Sequence, residues 1–453
     1  MATGSDVREG INPGFVVEEP RRTPIWGVYD VVVLGGGPSG VSAALAAAEQ
    51  GCTVALVERY GFLGGMATAA SVSNFCGLHA NVGGEIVQVV HGLADRLLER
   101  LRARDALATP HSVLGKTHAV AYDSAVYRCV LDDLLTTAGV DLHFHAMAVG
   151  ASRTDERITG IFIETKSGRG VLQASAFVDC SGDADLASWV GASTSNGADD
   201  GYLAYPTLMF RVGRVDGKRA KAEGKPVIRA KMAEYSAKTG VRFPRVAAYV
   251  NPQPHDEEWR VNATQISWTD GGPLDASKHD HFRYAEREGR RQVLEMFDFL
   301  RSSLPGFENA YLLDIAPQIG VRETKRIQGR YVLSGEDVLR CKRFDDSIGV
   351  NGWPVEKHVK GDVEWQWLDP AGYHQIPYRV LVPDATKNLL VAGRCASTTQ
   401  DGQASLRVSG PCYQMGEAAG VACSLAVSAN VPIADVDMAS LQSALVERGV
   451  NLG

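Results

Sequence analysis

The chain has 453 residues, 45% of them apolar and 22% charged, with a net charge of −7. At ~150 residues per domain this is about three domain-equivalents, enough to bury a large core without disulfide or metal staples. The acidic balance excludes an electrostatic footprint for nucleic acid or an anionic membrane, and the composition excludes disorder, collagen and coiled coil for the bulk of the chain.

The 48 glycines stand out against roughly 32 at the usual ~7%. Runs such as Gly35-Gly36-Gly37 and Gly64-Gly65 imply backbone held close to something. Windows 31–48, 60–84 and 418–434 carry no Asp, Glu, Lys or Arg. Glycine, asparagine or proline interrupts each, so none supplies the ~20 apolar residues of a spanning helix. Residues 1–27 lack the apolar core of a signal peptide; they read as a surface arm, and the cytoplasm is the expected address. Eight cysteines form no C-x-x-C pair, which argues against zinc ribbons, iron–sulfur ligation and redox pairs. No metal site is expected.

In chain order, Val31-Val32-Val33-Leu34 suits a strand buried on both faces of a parallel sheet. Gly35-x-Gly37-x-x-Gly40 follows at once; Val41 to Gln50 then reads as an Ala-rich helix stopped by Gly51, and Thr53 to Val57 as a second buried strand ending at Glu58. A lone G-x-G-x-x-G is weak evidence. Here a strand precedes it, a helix follows it, and an acid lies 18 residues past the third glycine, which completes a β-α-β unit for a dinucleotide. Gly35 permits the tight turn, Gly37 lets the backbone approach a pyrophosphate, and Gly40 lets helix pack on strand. Free N–H groups at the helix start attract phosphate charge. Glu58 would accept hydrogen bonds from ribose hydroxyls and repel a 2′-phosphate. Pro38, Ser39 and Arg59 flank these groups and join the expected contacts.

Apolar periodicity predicts a helix over 84–102 (Ile86, Val89, Val90, Leu93, Leu97, Leu101) and another over 122–137, closed by Ala138-Gly139. Residues 142–149 read as a strand, 158–178 as a β-meander turning at Ser167-Gly168, and 178–183 as its terminal glycine turn. Between about 196 and 372 polar, charged and aromatic residues rise, with a long charged helix over 278–303 stopped by Pro305-Gly306. Strand chemistry returns at 389–393, and a Gly/Ala helix runs over about 411–426. The expected division is an arm (1–27), a dinucleotide-binding part (28–195), an inserted substrate or cap domain (196–372), the return of the first domain (373–430) and a C-terminal segment (431–453). The expected fold class is α/β: a Rossmann-like domain with a parallel sheet and a β-meander, plus an inserted mixed α+β domain.

Directly after Glu58 comes a second glycine loop, Phe62-Leu63-Gly64-Gly65-Met66-Ala67-Thr68. Together with Asp30 to Gly40, Arg322-Glu323-Thr324-Lys325-Arg326, Asp346-Ser347-Ile348, Ile376-Pro377-Tyr378-Arg379, Asn388 to Arg394, Ser405-Leu406-Arg407-Val408 and Gly416-Glu417-Ala418-Ala419-Gly420, it spans about 28–427. Across these pieces the chain resembles the FAD-dependent oxidoreductase family of two-dinucleotide-binding flavoproteins, distantly related to the succinate dehydrogenase/fumarate reductase flavoproteins. The resemblance implies an extended FAD, its pyrophosphate at Gly35–Gly40 and its ribose at Glu58. It further implies that Gly64, Gly65, Met66, Ala67 and Thr68 run beside pyrophosphate and flavin, and that Ala148 contacts adenine. Gly393 and Arg394 would make a second pyrophosphate or ribitol contact, with Gly182, Asp183, Ser405 and Val408 completing the set. The helix from about Ser409–Pro411 would point its N-terminus at flavin N1–C2=O, where reduction places negative charge. Noncovalent binding is expected; Cys76 and His79 are the positions for a covalent link otherwise.

No second G-x-G-x-x-G occurs in 150–453. With no dithiol either, the flavin is expected to exchange electrons directly with a small substrate and with oxygen or an external carrier. Hydride transfer at flavin N5 needs a neighbouring base and a held substrate. Arg322 is a candidate to fix a carboxylate bidentately, with a structural ion pair to Glu323 or a nearby acid as the alternative. His358 is a candidate base or a packed side chain, and His374 departs from the commoner family pattern. Arg407, beside the flavin helix, is a candidate to neutralise reduced flavin or grip substrate. His143 and His145 alternate on a strand and read as ordinary histidines rather than a metal pair; 287–291 reads as a solvated helix face. Tyr202, Tyr205, Trp259, Trp268, Trp353, Trp365 and Trp367 lean toward a ring-bearing substrate. The expected activity is hydride transfer on a small or medium organic substrate, as dehydrogenation or as reduction of an activated alkene. A flavin monooxygenase using NAD(P)H and oxygen, or a non-catalytic electron-transfer subunit, are the alternatives. A homo-oligomer stays open.

Overall fold

The computed structural model describes residues 18–368 and 372–453; residues 1–17 of the expected arm lie outside the described residues. β1 (Ile25–Leu34) starts inside that arm and buries its last four residues completely or nearly so. α1 (Pro38–Glu49) opens on proline, at a position whose N–H has no helical partner anyway. β2 (Val54–Val57) is buried throughout.

The helix expected over 84–102 is a correction. His79–Val82 and Glu85–Gln88 form a hairpin turning at Gly83-Gly84, and only α2 (Leu93–Arg102) is helical. Gly83, Gly84 and Gly92 all take positive φ, and Val89 and Val90 both donate to the Leu78 carbonyl. Helical spacing of apolar residues therefore crossed a hairpin, where three glycines made the turns. α3 (Ser124–Thr137) follows, with the Asp123 carboxylate capping the Ala125 and Val126 N–H groups. The strand expected over 142–149 is broken at His145, φ +51, into β3 (Asp141–His143) and β4 (Met147–Thr154). β5 (Arg157–Thr165) and β6 (Gly168–Asp179) complete the meander.

A second unit holds β7 (Phe210–Gly213), β8 (Tyr249–Pro252), β9 (Trp259–Asn262), the long helix α4 (His279–Ser303) and β10 (Tyr311–Ile315). Its antiparallel sheet runs β8-β9-β7-β10. Phe210, Val261, Val293 and Phe299 belong to its own core. On α4, Arg287, Arg290 and Arg291 face solvent. The stretch read with this unit beyond Val321 behaves differently: Leu333, Val338, Ile348, Val350 and Val355 pack into the main core. The chain then returns through β11 (Leu389–Val391) and α5 (Ser409–Ala429).

The main sheet has seven strands in the order β3-β2-β1-β6-β5-β4, with β11 also pairing β6. β1, β2, β3, β6 and β11 are mutually parallel along their ladders, whereas β5 pairs antiparallel to β6 and β4. The parallel ladders bring the C-terminal ends of β1, β2, β6 and β11 to one edge, where ligands bind in open α/β sheets. Small residues let α5 lie on α1: an added Cβ at Gly416 would stand 2.0 Å from the Ser39 carbonyl oxygen, and one at Gly420 2.2 Å from that of Ala43. Among the described residues, no helix is long and apolar enough to cross a membrane.

Candidate active site

The C-terminal edge of the sheet opens into a cavity of about 690 Å³. At one end lie the two glycine loops. Gly35 sits at φ +97, its backbone against the Cys180 carbonyl, and its N–H donates to Val57 O at 2.8 Å. At Gly40 an added Cβ would lie 1.7 Å from Gly35 O, so helix and turn touch there. Gly37 differs: its nearest neighbour would be Gly65 Cα at 3.7 Å, ordinary contact, and both glycines line the cavity. The loops are tied by Gly64 N–H donating to Gly36 O, 2.8 Å. Glu58, buried at the end of β2, accepts from Gly36 N–H (2.8 Å) on one oxygen and Tyr60 N–H (2.9 Å) on the other. Burial pushes its carboxyl up, and these N–H bonds oppose that. Each oxygen retains a lone pair for a ribose hydroxyl.

Of the expected cofactor contacts, Gly35, Gly37, Pro38, Ser39, Glu58, Arg59, Gly65, Met66, Ala67, Ala148, Gly182, Gly393, Arg394 and Val408 line this cavity. The others do not, and make contacts within the protein instead. Gly40 packs the helix, Gly64 ties the loops, and Thr68 Oγ1 donates to Leu63 O at 2.6 Å. Asp183 pairs with Arg394 at 2.7 Å, and Thr324 bonds both, so it fixes the arginine from behind. Ser405 is fully buried, accepting from Asn351 Nδ2 at 2.8 Å and donating to Trp353 O. Asp185, absent from the sequence reading, lines the cavity with its carboxyl pushed up to about 6 by burial and then by Asp183 and Asp179.

At the other end Arg322, His358 and Arg407 line the same cavity, joined by Glu356. Val355–Lys357 is a strand, and the next residues carry His358 beside it; His358 Nε2 stands 3.0 Å from Glu356 Oε1. Burial works against the charged carboxylate, but His358, Arg407 and Arg322 hold Glu356 well below the usual carboxylate range. Burial, then Arg322, pushes His358 down, so its imidazole is neutral. Nε2–H then donates to Glu356 and leaves Nδ1 unprotonated. Arg322 does not pair with Glu323, which binds Arg326 at 2.6 Å; Arg322 donates to Tyr205 O at 2.6 Å. His374 does not line the cavity. It is fully buried, donating from Nδ1 to Gln375 O (3.0 Å) and accepting from Asn351 Nδ2 (3.1 Å).

Of the seven aromatics, Trp353 and Trp365 line the cavity. Trp259 is buried in the second core, and Trp268 stacks on His281. Cys76 also lines it, with burial pushing the thiol up to about 12; His79 does not. The second unit adds Lys225, Arg245, Tyr249, Asn251 and Arg260, none of them singled out by the sequence reading. An arginine inside the otherwise apolar Trp259-Arg260-Val261 run was the available signal. Among the described residues, no group of three or more His, Cys, Asp or Glu is arranged to hold a metal ion.

Parallel sheet, glycine turn and acid-tipped second strand together define a dinucleotide-binding α/β protein. A model of the family described as FAD dependent oxidoreductase matches residues 30–445, and the chain belongs to that family. It is an oxidoreductase whose cofactor is FAD. The residues fit that group: Gly37 and Gly65 lie side by side in the cavity wall, where an added Cβ on Gly65 would stand 2.8 Å from Gly37 Cα, so two glycines bring bare backbone to the cavity.

The soluble pyridine nucleotide transhydrogenase of Mycobacterium bovis is 28% identical over 197 residues, 41% of this chain and 42% of that protein. The dihydrolipoyl dehydrogenase of Trypanosoma brucei brucei is 57% identical over 45 residues, 10% of this chain and 9% of its own. The chain thus spans under half the length of the curated relatives it matches. Among solved structures, a geranylgeranyl bacteriochlorophyll reductase-like protein from Thermoplasma acidophilum aligns with a TM-score of 0.46 at 14% identity, covering 94% of this chain and 84% of that one. The p-nitrophenol 4-monooxygenase of Pseudomonas putida aligns with a TM-score of 0.46 at 13% identity, covering 93% and 85%.

Proposed function

We propose that this oxidoreductase moves a hydride between a small or medium organic substrate and FAD, with His358 handling the accompanying proton. The observation that carries the reading is continuity. One cavity runs from the Gly37–Gly65 cradle to His358, Glu356, Arg322 and Arg407. Bound FAD supplies a two-electron acceptor or donor at its N5. The chain's own groups do the rest. Arg322 and Arg407 orient the substrate. Glu356 accepts from His358 Nε2–H, which fixes the tautomer and leaves Nδ1 to take a proton from the substrate or return one. Trp353 and Trp365 wall the cavity and keep water from the reacting face. Met66 and Val408 line it from the cofactor loops.

Anaerobic mixing of the FAD-loaded enzyme with a panel of organic substrates tests this. Bleaching of the flavin by a substrate without NAD(P)H is the expected result. In His358→Gln that bleaching should slow about 10²-fold, the usual scale for losing a general base, with FAD content unchanged. Bleaching by NAD(P)H alone, with no response to any organic substrate, would instead favour a monooxygenase.

A further inference from the structure

Three arginines in the cavity wall are more than nine-tenths buried: Arg245 is 3% exposed, Arg260 5% and Arg322 8%. They come from different places in the chain. Arg260 lies on β9, Arg245 just before β8, and Arg322 beyond β10. Among the described residues, none of the three has a carboxylate within ion-pair distance. Arg245 donates to Asn262 Oδ1 at 3.0 Å and lies over the Tyr249 ring. Arg322 donates to a carbonyl. Arg260 reaches the Asn74 amide oxygen once that amide is turned, and its Nε has no partner among the described residues. Arg407 adds a fourth guanidinium, 3.4 Å from Glu356, the one carboxylate in the group.

Proteins bury charges when they are paired. Here three buried cations line one cavity without a carboxylate in contact, and Glu356 acts on Arg245 and Arg322 only through space. FAD carries its own negative charge on the pyrophosphate, but the expected place for that group is the bare backbone of Gly37 and Gly65 at the head of α1, with Arg394 lining the same cavity. We infer that the substrate is an organic anion whose oxyanion group, a carboxylate or a phosphate, is received by Arg245, Arg260 and Arg322. The inference rests on the proposed substrate role for this end of the cavity. Burial lowers the pKa of all three guanidiniums, that of Arg322 to about 9. An entering anion relieves that penalty. It also relieves the pressure the arginines put on His358, so the imidazole becomes a stronger base when substrate is in place.

The test uses the FAD-loaded protein and three probes: benzoate, phenyl phosphate and, as a neutral control, benzamide. The flavin difference spectrum and the thermal midpoint are read during titration. Saturable binding of benzoate or phenyl phosphate is expected, the better of the two identifying the oxyanion, with benzamide inert over the same range. Arg260→Gln and Arg322→Gln should each weaken that binding tenfold or more. Without ligand Arg260→Gln should melt no lower than the parent, since the charge it removes has no partner. If Arg260→Gln does not fold, Arg260→Lys should keep the preference for anion over amide at reduced affinity.

Benzamide binding as well as the anions would overturn the inference. So would unchanged anion binding in both variants, no anion binding at all, or loss of FAD from both variants, which would assign the guanidiniums to the cofactor. The two readings fail separately. Flavin bleaching by neutral substrates, indifferent to the arginines, sinks the anion and leaves hydride transfer. Tight anion binding with no substrate-driven bleaching sinks hydride transfer and leaves the anion site.

Discussion

At the scale of single residues, glycines of one motif have different tasks. Gly40 is required by the protein itself, since a Cβ there would sit 1.7 Å from Gly35 O. Gly37 has room on the protein side, with its nearest neighbour 3.7 Å away, so what it is expected to accommodate is the cofactor. Gly37→Val should therefore give a folded protein, its ligand-free thermal midpoint near the parent's, that retains no FAD after gel filtration. Gly40→Ala should lose folding and FAD together, because α1 must shift off the strand. Their spacing was legible in the sequence. Glu356 was not, because its setting comes from two arginines and a histidine that only the fold collects. Its place two residues before His358, at the alternation of a strand, was the one local hint. His374 misled in the opposite direction. A histidine in an unusual place reads as chemistry, yet its two ring nitrogens are both spent on Gln375 and Asn351.

Among the elements, the close contact beside the first glycine turn is α5 against α1. These helices approach through Gly416 and Gly420, which face the Ser39 and Ala43 carbonyls of the helix that follows the first glycine turn. Gly416→Ala would put its Cβ 2.0 Å from Ser39 O, and overpacking of this kind costs about 1–3 kcal/mol or more. The expected outcome is a lower melting temperature and, with it, weaker FAD binding read by flavin release on dilution. A variant that lost stability but held FAD at parental affinity would separate the helix contact from the cradle. Gly51 made the end of α1 legible at once. The hairpin at 79–88 was not. Its apolar spacing satisfies a helix as well as a two-stranded ribbon, and the ribbon wins through the Gly83-Gly84 turn, its cross-strand pairs and the bonds to the Leu78 carbonyl.

For the whole molecule, burial sets a pH response. His374 is fully enclosed, and burial pushes its pKa down from the usual 6.5 to about 4. Between those values the unfolded chain binds the proton more readily, so this residue's contribution to stability is present above about pH 6.5 and is lost as pH falls toward 4. Asp185, pushed up to about 6, acts with the opposite sign. A comparison of variants isolates the histidine. His374→Gln should be less stable than the parent at pH 7 by about 1–3 kcal/mol, through the disturbed Asn351 bond. That gap should narrow by up to about 1.4 kcal/mol per pH unit below 6.5, measured by denaturant titration at stepped pH. A constant gap would mean that His374 titrates normally.

By itself the sequence determined the β-α-β cradle, its acid, the meander and the long charged helix. Each of these is written in neighbouring residues, as apolar period, glycine punctuation and a fixed offset to Glu58. It also carried the family, because the matching motifs are local strings. Tertiary structure alone decided which charged groups meet. Arg245, Arg260 and Arg322 are up to 77 positions apart in the chain, between 245 and 322, and come to line one cavity only in the folded chain. The same holds for Glu356 and Arg407. A charge's meaning depends on whether water or a partner surrounds it, and burial is a property of the packed molecule that no stretch of sequence contains.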